Sequence, residues 1–332
     1  MKILQIGVPR SGNYWLYCIL EEVLSCAGVE HRSYIEKRPI YHEALKWEGF
    51  TEQARIDYLE ITPKGNYLRK GSYQERILDI DNYINQCSHV WTHSPWCEHS
   101  EDIMRKFDKV IYILRDPRDV VLSSAHYAFS PFILSQHPHN EQNPKMYLHH
   151  RFYELLLHWL DHVEGYLIRK DLLNIQIVFY ERFLYSFVAQ LKEVLEHLDI
   201  TLDQEDISTI KERTSFRKLQ DQDHDHMRQG THGQWVDQFT DAQKLDAEKM
   251  LGPMLYLLGY PEKNREFGRP IIGYSETITP ERIQEARLVG WGNLGDQVRY
   301  AISFLKSRRS LSEKLVKGLD YLFRRGRWYR SC

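Results

Sequence analysis

The stretch Ile6-Gly7-Val8-Pro9-Arg10-Ser11-Gly12-Asn13-Tyr14-Trp15 carries the densest chemistry in this 332-residue chain. The apolar run from Ile3 to Val8 reads as a buried strand, Pro9 breaks it, and Leu16, Ile19, Leu20 and Val23 then fall on one helical stripe. A strand, a tight turn and a helix start aim backbone N–H groups and the positive end of a helix dipole at one point, which suits phosphate or sulfate. Arg10 adds a full positive charge beside it. Gly7 and Gly12 have the G-x-x-x-x-G spacing of an ATP-binding loop, but that loop continues into Lys and Ser or Thr to reach the β- and γ-phosphates and magnesium. Asn13 and Tyr14 stand there instead, so magnesium–ATP chemistry is poorly supported.

Two further segments have the makings of an anion site. The run Lys109-Val110-Ile111-Tyr112-Ile113-Leu114 reads as a strand that delivers Arg115 to a sheet edge, where Asp116-Pro117 turns the chain. A helix from about Arg118 then brings Ser123 round to the same place, and an Arg fork plus a hydroxyl donor suits a terminal phosphate. Farther on, Arg228-Gln229-Gly230 precedes Gly233-Gln234-Trp235, and the two glycines let backbone approach a ligand closely.

In this order the segments resemble the sulfotransferases that use 3′-phosphoadenosine 5′-phosphosulfate (PAPS). Pro9-Arg10-Ser11-Gly12-Asn13-Tyr14-Trp15 is similar to the family's Pro-Lys-Ser-Gly-Thr-x-Trp loop, and the Arg115–Ser123 segment to its 3′-phosphate motif. The run from Arg228 through Trp235 to Phe239-Thr240 resembles Arg-Lys-Gly-x-x-Gly-Asp-Trp-x-x-x-Phe-Thr. Ile177-Val178-Phe179-Tyr180-Glu181 and Thr214-Ser215-Phe216 look like its adenine-contacting segments, and Trp91-Thr92-His93-Ser94-Pro95 like its Lys-Thr-His-x-Pro.

The resemblance implies a PAPS-dependent transfer of a sulfuryl group to a hydroxyl or amine, with no metal. His93 becomes the general base, an imidazole with an ordinary pKa of about 6.5 being suited to neutral pH. Arg10 and the backbone of Ser11, Gly12, Asn13 and Tyr14 take the phosphosulfate. Arg115, Ser123, Arg228, Gln229 and Gly230 take the 3′-phosphate. Trp15 and Phe216 sandwich the adenine, with Tyr180 at its edge. His162, in Trp159-Leu160-Asp161-His162-Val163, falls beside the acceptor. The acceptor itself stays open among phenol, alcohol, amine, glycan and lipid headgroup, and no nucleic-acid partner is indicated.

Three departures stand out. Trp91 replaces the family's Lys before Thr-His, Arg10 replaces the loop Lys, and the family's C-terminal dimerisation pattern is lost at Val236, Asp241 and Leu245, which leaves the oligomeric state open. Arg keeps the charge but cannot give up a proton as Lys can. Two other readings therefore stand beside the first: a P-loop-type small-molecule kinase, and a non-catalytic adenosine-bisphosphate binding module or membrane adaptor.

The elements that must position these groups alternate. Strands are expected at 2–8, 89–92, 109–115 and 175–180, with a short extended piece near 66–70. Helices are expected at 12–26, 74–86, 99–107, from 118, 147–168, 183–197, 203–213 and 241–258. The stretch to about residue 60 and Ser130–Lys145 read as irregular. That pattern predicts an α/β fold, a P-loop-like and mainly parallel central sheet flanked by helices, with a helical C-terminal extension. At 42% hydrophobic content the chain can bury one large core. The resemblance covers about 1–262 as the sulfotransferase domain and leaves 263–332 as a basic helical extension. Residues 299–332 hold ten Lys/Arg against two acidic residues in a chain of net charge −2. Leu311, Leu315, Leu319 and Leu322 share a helical face there, so this segment is expected either to touch an anionic membrane or to dock on the acidic domain. No apolar run approaches a membrane span and no secretory leader is apparent. The five cysteines lack C-x-x-C spacing, which reads as reduced thiols in a cytoplasmic protein.

Overall fold

Among the described residues of the computed structural model, 1–222, 230–260 and 278–291, seven strands form one sheet. They are β1 (Ile3–Gly7), β2 (Asp57–Thr62), β3 (Gly65–Lys70), β4 (Tyr73–Ile77), β5 (His89–Thr92), β6 (Lys109–Leu114) and β7 (Ile175–Phe179), in spatial order β4-β3-β2-β5-β1-β6-β7. From β2 to β7 every pairing is parallel, while β3 and β4 fold back as antiparallel hairpins on the β2 edge. The expected mainly parallel α/β sheet is what forms.

Alternation along the central strands buries both faces. Val110, Tyr112 and Leu114 of β6 join Leu4 and Ile6 in a core under the helices Pro117–Tyr127, Pro144–Leu167 and Asp241–Leu257. Ile111 and Ile113 point the other way with Ile3, into a core covered by the helices Asn13–Cys26, Phe187–Leu198 and Gln204–Arg213. The predicted stripe of the first helix, Leu16, Ile19, Leu20 and Val23, is buried throughout. Each such side chain stabilises the fold by about 1.5–3 kcal/mol on burial.

Register then decides where the chemistry meets. Ile6 of β1 lies level with Thr92 of β5, Gly7 with Ile113 of β6, and Leu114 with Phe179 of β7. The residues just past these strand ends, Arg10, His93, Arg115 and Tyr180, therefore gather at one edge of the sheet. Parallel sheets bind ligands at this carboxyl edge.

Three local expectations are corrected. Residues 74–86 are not one helix: Tyr73–Ile77 is β4, and a helix begins only at Ile80–Asn85. Lys70 pairs with Tyr73 across a two-residue Gly71-Ser72 turn, which sends β4 straight back along β3. As an edge strand with mostly exposed polar side chains, it shows no apolar alternation to read. Ser130–Lys145 is not all loop either: Ser130 caps the helix Pro131–Gln136 by accepting from the Ile133 N–H at 3.3 Å, with Pro131 in the first position. The stretch before residue 60 holds the helix Pro39–Ala44, two single-turn helices at Ile35–Lys37 and Thr51–Gln53, and the start of β2.

Of the expected extension, residues 278–291 are described. Their helix Pro280–Trp291 buries Ile283 and Ala286 against the domain core, and Arg287 pairs with Asp161 and Glu164. The basic segment 299–332 and its amphipathic face lie outside the described residues. No described helix is long and apolar enough to cross a membrane.

Candidate active site

The first loop forms the floor of the site. Gly12 adopts φ 90° and opens the helix Asn13–Cys26 without any side-chain cap, so the first-turn amides keep their donor capacity for something else. A Cβ at Gly12 would sit 2.4 Å from the Tyr180 ring, so no other residue fits this close approach. Asn13 Nδ2 donates to the Val8 carbonyl at 2.8 Å and Ser11 N–H to the same oxygen at 3.1 Å, which locks the turn. Arg10 is held at φ 72°, an uncommon left-handed conformation for a side-chain-bearing residue.

Arg115 is what holds it there. Its Nη1 donates to the Arg10 carbonyl at 3.0 Å and its Nη2 to the Thr231 carbonyl at 3.1 Å, while the guanidinium stacks 4.2 Å over Tyr180. Arg10 Nε in turn donates to Ser123 Oγ at 3.2 Å, with the Arg10 guanidinium 4.1 Å over Tyr127. The first two anion motifs are thus bonded directly to each other. Asp119 joins the third by accepting the N–H groups of Gly233 and Trp235. Glu181 accepts the Asp116 N–H at 2.9 Å, tying the end of β7 to the end of β6, and burial pushes its carboxyl up to about 8.

Trp15, Tyr180 and Phe216 stand on the same cavity wall. Trp15 is fixed by donating Nε1 to the Thr214 carbonyl at 2.7 Å and meets Tyr180 edge-on at 5.4 Å. Gly230 closes against Phe216, where a Cβ would come within 2.2 Å of the ring. Arg228 and Gln229 lie outside the described residues.

His93 follows β5 and faces the loop from across β1. Its Nδ1 lies 2.5 Å from the Gly7 carbonyl, and its Nε2 accepts from the Trp91 indole at 2.9 Å. Burial away from water pushes the imidazole down to about 4, with His158 and Arg10 adding to the effect and the Gly7 carbonyl opposing it. The ring is therefore neutral near pH 7. His162 is not on the cavity wall. It is fully buried in the helix Pro144–Leu167 and shares a 2.7 Å hydrogen bond with the Tyr112 hydroxyl.

One cavity of about 380 Å³ unites these groups, its wall formed by Arg10, Gly12, Asn13, Tyr14, Trp15, Trp91, His93, Arg115, Ser123, Tyr180, Phe216 and Gly230, among others. Ser11 is fully buried within the loop, with its N–H donated to the Val8 carbonyl, and does not line the cavity. At another end the wall carries aromatic rings among polar groups, with Phe50 stacked on Phe132 at 4.2 Å. Arg10, Arg69, Lys70 and Arg115 line the cavity, and no carboxylate does so among the described residues. This end was missed in the sequence because its residues come from β3, the turn near residue 53 and the helix Pro131–Gln136, far apart in the chain. The bond between Trp91 and His93 left a signal, since residues two apart at a strand end share a face.

A family model for the sulfotransferase domain matches residues 1–259. The chain belongs to the sulfotransferase family. Rat (Rattus norvegicus) sulfotransferase 2A2 is 22% identical over 224 residues, which cover 59% of this chain and 74% of that protein. Guinea-pig (Cavia porcellus) 3-beta-hydroxysteroid sulfotransferase is 23% identical over 276 residues, covering 78% of this chain and 85% of its own. The crystal structure of a mouse sulfotransferase complexed with PAP superposes with a TM-score of 0.52 at 23% identity, over 76% of this chain and 83% of that one, a likeness of fold. As a sulfotransferase the protein performs sulfuryl transfer, and the kinase and non-catalytic readings are not favoured.

Proposed function

We propose that this sulfotransferase moves the sulfuryl group of PAPS to a hydroxyl or amine of a small molecule, with His93 as general base and no metal. The observation that carries this reading is the common strand-end register that brings Arg10, His93, Arg115 and Tyr180 to one cavity. The residues fit the donor. Among the described residues Ser11 Oγ and Arg115 Nε are buried polar atoms without partners, and Gly12 and Gly230 let the Tyr180 and Phe216 rings pack directly against the backbone at the cavity wall. Arg115 and Ser123 hold the 3′-phosphate, with Arg228 as a third donor, and Trp15, Tyr180 and Phe216 hold the adenine.

In the transfer the acceptor's lone pair forms a bond to sulfur as its proton passes to His93. The bond between sulfur and the bridging oxygen breaks, and that electron pair leaves on 3′-phosphoadenosine 5′-phosphate (PAP). Arg10 and the first-turn amides of the helix Asn13–Cys26 face the leaving phosphate and stabilise its growing charge. The aromatic far wall around Phe50 and Phe132 suits a flat, largely apolar alcohol or phenol, in keeping with a relative named for hydroxysteroids. The protein is expected to work in the cytoplasm, where Cys18, Cys26, Cys87 and Cys97 stay as free thiols.

Calorimetry tests the donor. PAP is expected to bind about 10²-fold or more tighter than AMP, which lacks only the 3′-phosphate, because charge-assisted hydrogen bonds contribute about 1.5–3 kcal/mol each. Equal affinities would defeat the reading. The pH profile tests the base. A neutral imidazole is the active form, so kcat/KM is expected to stay flat through about 6.5, where an ordinary histidine is half protonated. It then falls as pH drops through about 4. An acid limb near 6.5 would mean that a different, ordinary histidine is in control.

A further inference from the structure

His93 and Trp91 are bonded in a way that bears on catalysis. A carbonyl only accepts, so the His93 nitrogen facing Gly7 carries the proton; an indole N–H only donates, so Nε2 carries the lone pair. The two contacts fix one neutral tautomer and leave that lone pair already occupied. A general base needs the same lone pair when the acceptor's proton arrives. Trp91 stands where the resembling family has Lys, on the wall of the same cavity and 7% exposed. Its ring is 4.9 Å from the imidazole at 83°, an edge-on approach that presents the N–H.

We propose, resting on the sulfuryl-transfer reading, that Trp91 is a latch on the base: its indole N–H closes Nε2 in the free protein, and an acceptor reaches His93 by displacing it. An acceptor hydroxyl or amine offers Nε2 the same kind of donor, so the exchange replaces one hydrogen bond by another and leaves no buried lone pair unmet. Trp91 is a positioning residue here, acting through His93. It also favours acceptors that can turn the indole aside over those that cannot. Groups that face His93 from other elements are Arg10 in the first loop, His158 and His162 in the helix Pro144–Leu167, and Tyr58 of β2, whose ring is 5.6 Å away edge-on. None of them changes when residue 91 is substituted.

Trp91→Phe keeps a flat apolar ring and removes the donor. A donor to Nε2 favours neutral imidazole, so its loss is expected to raise the His93 midpoint, followed by NMR titration, by about one pH unit. With phenol, whose hydroxyl keeps its proton at neutral pH, as acceptor probe, turnover is expected to rise about 3- to 10-fold, with KM for PAPS unchanged. A packing role alone would lower the melting temperature and leave the midpoint in place, and an unmoved midpoint overturns the latch. Should Trp91→Phe fail to fold, Trp91→Met also lacks a donor and must move the midpoint the same way. PAP calorimetry on the wild type keeps the two ideas apart: absent PAP binding sinks the functional reading, whereas an unmoved midpoint with PAP binding intact sinks the latch alone.

Discussion

His93→Ala is expected to lower turnover about 10²- to 10⁴-fold, the range typical for removing a positioned general base. PAP affinity should hardly change, because none of the predicted phosphate or adenine contacts comes from this ring. The geometry gives the effect its size. The imidazole is held by the Gly7 carbonyl in a single tautomer, is neutral at working pH, and opens on the cavity that also holds Arg10. Water cannot replace it cheaply, since a hydroxyl proton must leave as the oxygen bonds to sulfur. Steady-state kinetics beside PAP calorimetry reads both quantities. A variant that keeps near wild-type turnover removes His93 from the mechanism, and one that loses PAP binding shows a structural role instead.

The second large effect is expected at Arg115. Arg115→Ala should weaken PAP by about 10- to 150-fold, the equivalent of one charge-assisted pair at about 1.5–3 kcal/mol. AMP affinity should fall much less, so the ratio between the two ligands collapses. That ratio separates recognition of the 3′-phosphate from general damage, which matters because Arg115 also braces the Arg10 carbonyl and Thr231. Equal losses for both ligands would mean that Arg115 serves the loop and not the phosphate. Calorimetry with the two ligands decides it.

The parts of this site that were legible in the sequence are local. At Gly7–Gly12 and at Leu114–Pro117 the apolar period changes from strand to helix within a few residues, so the chain announces both the turn and the side chain it projects. Tyr180 and His93 also follow short apolar strands, and sheet register then lines them up with Arg10 and Arg115. What was not legible depends on distant pieces meeting. Phe50 stacks on Phe132, 82 positions farther along the chain, and buried Lys70 donates to the Gln53 and Ile56 carbonyls from a hairpin read only as a short extended piece. β4 was misread because an edge strand needs no apolar face, and its pairing is set by the Gly71-Ser72 turn. His162 falls beside the acceptor only by the family resemblance, and it is fully buried and hydrogen-bonded to Tyr112.

Transfer of a radiolabelled sulfuryl group from PAPS tests the central claim most directly. The purified full-length chain would be incubated without added metal against a panel of a phenol, a hydroxysteroid and a primary amine, with His93→Ala in parallel. The account predicts label on at least one acceptor, PAP formed in equal amount, and loss of both in the variant. A wild-type chain that binds PAP yet moves no label to any of them, or a His93→Ala chain that moves it as fast, would contradict the account.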